Sequence, residues 1–185
     1  MLALQEFFRS IFGAWRLAHL DANGMYYFNL SFEGFFRSFL APILAAPFFL
    51  ILVLLRIGPH TDVNALIEIE GITYFATWLG FPVLMVPLCR LLDLGQHYVA
   101  FIVAYNWSQI VLVAFFLPLY TVVAYDLLGE PLGAILGLLG LTLGYTYFWF
   151  IARTALQTTA LIAFGLTIID VLLDLVTPRI VELLV

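Results

Sequence analysis

The spacing of polar residues changes once along this chain, and the change divides it in two. From Leu2 to Leu20 the polar or small positions Gln5, Glu6, Arg9, Gly13, Arg16 and His19 recur every three or four residues, and Phe7, Phe8, Ile11, Phe12 and Trp15 lie between them. That period predicts an amphipathic helix over residues 1–22, with arginines on one face and aromatics on another, a pattern suited to the headgroup boundary of a bilayer. Such a helix is expected to lie flat on the membrane; the alternative is a helix that docks on the protein itself. After the turn-forming Asp21-Ala22-Asn23-Gly24 the alternation disappears, and apolar runs of about 20 residues follow, each long enough to cross a ~30 Å hydrocarbon layer.

Five such runs are predicted, at about 34–55, 71–88, 97–120, 132–151 and 154–176, in one bundle spanning residues 30–185. The fold class is therefore all-α, a polytopic transmembrane helix bundle with an interfacial N-terminal helix. The fourth and fifth runs are hardly separated. A single helix from Leu132 to Val176 would be more than twice as long as the hydrocarbon layer is thick, so the segment must fold back, and Arg153, its only basic residue, marks the bend.

Local chemistry supports these boundaries. Asn29 and Ser31 offer N-caps to the first span, with Glu33 and Arg37 one turn apart at its entry. The stretch from Arg56 to Asp62 reads as a loop, followed by a short surface helix over Val63–Glu70 capped by Asp62. Cys89–Gln96 and Asp126–Pro131 read as the next two connections. Pro42 and Pro47 in span one are echoed by Pro82 and Pro87 in span two. Paired breaks of this kind point to a transporter site or to a kinked bundle.

Composition agrees with a bilayer as solvent: 64% of residues are apolar, 10% are charged and the mean hydropathy is +1.10. A net charge of −5 excludes nucleic acid as a main partner. Cys89 is the only cysteine, so neither an internal disulfide nor a multi-cysteine metal site is available. Glu6, Arg9, Arg16 and His19 interrupt the N-terminus too early for a signal peptide. With five spans, Arg9, Arg16, Arg37, Arg90 and Arg153 fall on one side and Arg56 and Arg179 on the other. The positive-inside rule then places the N-terminus in the cytoplasm and the C-terminus outside a bacterial inner membrane.

The residues that could carry chemistry are few. Asp170 and Asp174 lie one turn apart in the fifth span. They are either an intramembrane site or acids at a solvated helix end, depending on where that span stops. Asn106 and Gln109 share a face of span three and would seek partners on another helix, with Tyr145 and Thr142 as hydroxyl neighbours for the acids. Arg153, Gln157 and Thr158 form a polar cluster at the bend, where Arg153 is expected to reach lipid headgroups. Gly133, Gly137, Gly140 and Gly144 lay a side-chain-free stripe on span four. Ala155, Thr159, Ala163 and Thr167 lay a small-residue stripe on span five, and the two are expected to pack together or to serve self-association. The histidines His19, His60 and His97 are scattered, so no metal, cofactor or catalytic residue is assigned. Asp62, Glu68 and Glu70 would serve a lipid-modifying enzyme only if they converged on one membrane face.

In overall plan, a surface helix followed by five closely spaced spans and a closing hairpin, the chain resembles the Yip1-type small multi-span membrane proteins. Tyr125-Asp126-Leu127-Leu128-Gly129 and Gly144-Tyr145-Thr146-Tyr147 are the nearest local likenesses. That resemblance implies a membrane-organising role without catalysis. The expected function is thus a non-enzymatic inner-membrane protein that binds or organises lipids or other membrane proteins. The alternative is a small secondary transporter or proton-coupled carrier that uses Asp170 with Asn106 and Gln109.

Overall fold

In the computed structural model, which describes residues 2–55, 57–58 and 60–184, 85% of the chain is helical and the described residues form no strand. Helix α1 is Leu2–Ala18, α2 Phe32–Ser38, α3 Leu40–Leu54, α4 Val63–Leu91, α5 Tyr98–Ala124, α6 Glu130–Ala155 and α7 Ala160–Leu184. Five stretches are long and apolar enough to cross a membrane: α2 with α3, α4, α5 with the 3-10 turn before it, α6 and α7.

Several boundaries differ from the sequence expectation, each for a local reason. Span one is broken at Phe39, because Pro42 in the first turn of α3 cannot continue the ladder back to Ser38. The expected surface helix at Val63–Glu70 is instead the first part of α4, which runs unbroken through Gly71 for 29 residues. Its N-terminus is capped as read: the Asp62 carboxylate accepts from the backbone amides of Asn64 and Ala65 at 3.1 and 3.2 Å. Arg56 and Pro59, in the loop before it, lie outside the described residues.

The bend of the closing hairpin falls at residues 156–159, beyond Arg153, which stays in the last turn of α6. Gln157 makes the reversal in the left-handed region at φ 51°, and the Trp149 indole donates to the Ala160 carbonyl across it at 3.0 Å. Helix α7 continues two turns past the predicted end at Val176.

Helix α5 is central. From Phe101 to Ser108 every residue is buried, which requires neighbours on all sides; α1, α2, α3, α4 and α6 supply them. Helix α7 packs on α4 and α6, so α3, α4, α7, α6 and α5 close a ring. Helix α1 docks on this bundle through Ser10, Gly13, Ala14 and Leu17, all buried. The Tyr147 hydroxyl of α6 donates to the Ala14 carbonyl at 2.7 Å. The approach to the 3-10 turn Ala22–Tyr27 needs Gly13: a Cβ there would lie 2.8 Å from the Gly24 carbonyl oxygen. Phe8, Phe12 and Trp15 face outward.

The glycine stripe does not meet α7. A side chain at Gly140 would overlap Leu119, and one at Gly144 would come within 3.1 Å of Phe116, so these two glycines admit the large side chains of α5. Gly137 has nothing near it, and Gly133 barely reaches Val123. The expected pairing of the α6 and α7 stripes is thus corrected: a short connection fixes which helices are neighbours, but not the rotation of each about its axis. Ala155 and Ala163 are buried, whereas Thr159 is exposed in the bend.

Candidate functional site

The floor of the site is aromatic. Phe81 stacks on Tyr105 with ring centres 4.5 Å apart, and Phe148 meets both edge-on at 5.6 and 6.0 Å. From this floor toward the C-terminal end of α5 the ring of helices separates and leaves a cavity of about 380 Å³. One wall is a second stack on α3 and α4, with Tyr74 between Phe49 at 4.5 Å and Trp78 at 5.0 Å. The Tyr74 hydroxyl donates to the Pro42 carbonyl at 2.7 Å and so fixes the ring that the stack is built on.

The polar groups of the cavity come from four helices, α4, α5, α6 and α7. Asp170 continues the buried edge of α7 that starts with Ala163 and Thr167, which packs between α4 and α6, and Asp174, one turn on, borders the same space but is solvent-exposed. At 1.5 Å per residue Asp170 lies about 15 Å from one end of a helix about 37 Å long. Helix α7 runs 14 residues beyond Asp170, to Leu184, so Asp170 is not at the end of its helix. Gln109 of α5 and Tyr145 of α6 border the same space, as do Thr73 and Thr77, one turn apart on α4. Glu70 stands on the same lining.

Two of these groups have no hydrogen-bond partner among the described residues. Asp170 is 8% exposed, and none of the described residues donates a hydrogen bond to it. The Thr73 hydroxyl oxygen is buried and has no hydrogen-bond partner. Buried polar atoms are nearly always paired, so a buried carboxylate and a buried hydroxyl on one cavity mark a place where something else supplies the partner. No arginine or histidine lines the cavity among the described residues. Nor do any three His, Cys, Asp or Glu side chains among them converge closely enough to hold a metal ion.

Other residues singled out from the sequence lie elsewhere. Asn106 is buried but points away from the cavity and donates to the Ser38 hydroxyl at 2.8 Å. Three residues on a helix diverge by about 60° around its axis, and on a helix with neighbours on every side that is enough to send Asn106 and Gln109 to different partners. Arg153 lies at the bend with its guanidinium 5.5 Å from the Trp149 ring, and Gln157 serves the turn. Thr142 is exposed and bonds its own helix at Leu138. Asp62 and Glu68 are exposed and do not join Glu70 at the cavity. Sequence reading missed Thr73, Thr77 and the Tyr74 stack. Their signal was present as threonines four apart in an apolar helix, but threonine commonly satisfies itself by bonding back within its own helix.

A second polar cluster fastens the N-terminal segment. Arg37 bridges Glu6 at 2.6 Å and Glu33, and Asn29 donates to Glu6 at 3.2 Å. Arg16 pairs with Asp21 and donates to the Tyr27 hydroxyl at 3.0 Å. The Asn23 backbone amide, followed by the Arg16 guanidinium, holds the Asp21 carboxyl below the usual carboxylate range. These groups pair with each other and are built as a clasp.

No protein-family model matches the chain, and neither a curated protein nor a solved structure is similar to it at a significant level.

Proposed function

We propose that this protein is an integral membrane protein that binds a small solute in the cavity between its five spans and carries it across the bilayer, a secondary transporter with Asp170 as its principal polar contact. The observation that carries the reading is Asp170 itself: a carboxylate in the middle of α7, buried, on a cavity, with no donor among the described residues. Placing an acid at membrane depth costs several kcal/mol unless it is paired or neutralised, so a position kept for it there is explained by a partner that comes and goes. Pro47, Pro82 and Pro87 lie inside the helices that wall the cavity, where a missing ladder bond lets a helix bend. The N-terminus then lies in the cytoplasm of a bacterial-type cell and α1 rests at the inner headgroup layer, with its arginines toward phosphates and Phe8, Phe12 and Trp15 toward acyl chains.

The test is solute and proton flux in proteoliposomes under an imposed pH gradient or potential. The wild type is expected to carry flux, and Asp170→Asn to lower it at least a hundredfold while the variant still folds and inserts. No gradient-dependent flux over a broad solute panel would sink the proposal.

One observation favours a second reading, a protein that organises lipids or membrane proteins, as the Yip1-type resemblance implies. The outward aromatics of α1 and the flank of α5 at Ala114, Phe115 and Leu119 enclose an apolar groove of about 740 Å³. A stoichiometric lipid or protein retained through mild-detergent purification and lost in Phe8→Ser, Trp15→Ser would support it.

A further inference from the structure

We propose that the solute is an organic ammonium ion with an apolar body, its charge held by Asp170 and Asp174 and its body lying against the Tyr74 stack and Tyr105. The inference rests on the cavity being the binding site, and it adds the chemical class of what binds there. Asp170 faces the space with no donor among the described residues, and Asp174 borders the same space one turn on. An anion or a neutral acceptor would meet the acidic side chains Glu70, Asp170 and Asp174 there and no basic side chain among the described residues. A bare metal ion finds no set of three ligands among the described residues, and a cavity of about 380 Å³ is in the range of small-molecule sites, far beyond one ion.

The walls discriminate further. Phe49, Tyr74 and Trp78 are stacked with interplanar angles of 26°, and Tyr105 lies parallel to Phe81 within 29°. Aromatic rings beside a carboxylate suit a substituted ammonium: the carboxylate holds the charge, and the hydrocarbon substituents bury against the edges of the stacked rings and any face the stack leaves open. The buried Thr73 hydroxyl adds an acceptor for one N–H where the ammonium carries hydrogens.

The experiment is equilibrium binding to the purified full-length protein in nanodiscs, followed by the fluorescence of Trp78 against a Trp78→Phe control. The probes are benzyltrimethylammonium, its neutral carbon isostere neopentylbenzene, and benzoate. The expected result is saturable binding of benzyltrimethylammonium, weakened at least tenfold by Asp170→Asn and severalfold by Asp174→Asn, with at least tenfold weaker binding of the other two probes. Equal binding of the neutral isostere, or undiminished binding in Asp170→Asn, would overturn the inference. In parallel, Thr77→Cys in a Cys89→Ser background is exposed to a neutral thiol reagent. Labelling without cation binding means that the cavity is open and the ligand class is wrong. Neither labelling nor binding brings down the cavity reading and this inference together.

Discussion

The two ends of α5 treat polar atoms in opposite ways. At its N-terminal end the helix is packed on all sides, and polar groups are matched: Asn106 with Ser38, Tyr147 with the Ala14 carbonyl, Glu6 with Arg37 and Asn29. Ser10, whose buried hydroxyl has no hydrogen-bond partner, is the exception there among the described residues. Toward the C-terminal end the same helix borders a cavity on which Asp170 and Thr73 have no such match. One half matches nearly all of its polar groups within the fold, while the other leaves a carboxylate and a hydroxyl on a cavity without a partner among the described residues.

Substitutions can break that comparison, and the largest effect falls on packing. Gly140→Leu, which drives a side chain into Leu119 and Phe116, is expected to cost roughly 3 kcal/mol and to lower the yield of folded protein. Gly137→Leu, facing open space, is expected to be neutral. Equal damage from both, in thermal unfolding of the detergent-solubilised protein, would show that the stripe serves something other than the contact with α5.

Next come the two polar interiors. Asn106→Leu removes a matched bond and leaves Ser38 without its donor, at about 1 to 2 kcal/mol of stability. Asp170→Asn is expected to act in the other direction, raising stability by about 1 kcal/mol while abolishing flux, because it removes a buried acid to which none of the described residues donates. If Asp170→Asn destabilised as Asn106→Leu does, the acid would be a structural member of the bundle and the contrast between the halves would vanish.

Smaller effects test the clasp. Glu6→Gln keeps the shape but weakens the tie to Arg37 and is expected to cost under about 1 kcal/mol, because Arg37 is partly exposed and retains Glu33. The smallest is a pH effect at the Arg16–Asp21 pair. Because the Asp21 pKa is depressed in the folded protein, its contribution is fully present above the ordinary carboxylate pKa and is lost as pH falls through the lowered value. Acidification below the ordinary carboxylate range is therefore expected to loosen α1 slightly, seen as a change in Trp15 fluorescence that Asp21→Asn removes.

Much of this was legible in the chain. Apolar run length determined the number of spans, since a helix must match the thickness of hydrocarbon it crosses. Capping chemistry placed the starts at Ser31 and Asp62, because a short oxygen-bearing side chain satisfies the exposed amides of a first turn without help from the rest of the fold. Asp170, Asp174 and Gln109 could be picked out because any polar residue in an apolar run is conspicuous. Which of them share a site was decided only in three dimensions. Nothing local distinguishes Asn106, spent on Ser38, from Gln109 on the cavity, and the glycine edge of α6 reads the same whether α5 or α7 fills it. A sequence carries the length and polarity of each helix in its own residues. The rotation of each helix about its axis is set by all its neighbours at once, and that rotation turned a scatter of polar positions into one cavity.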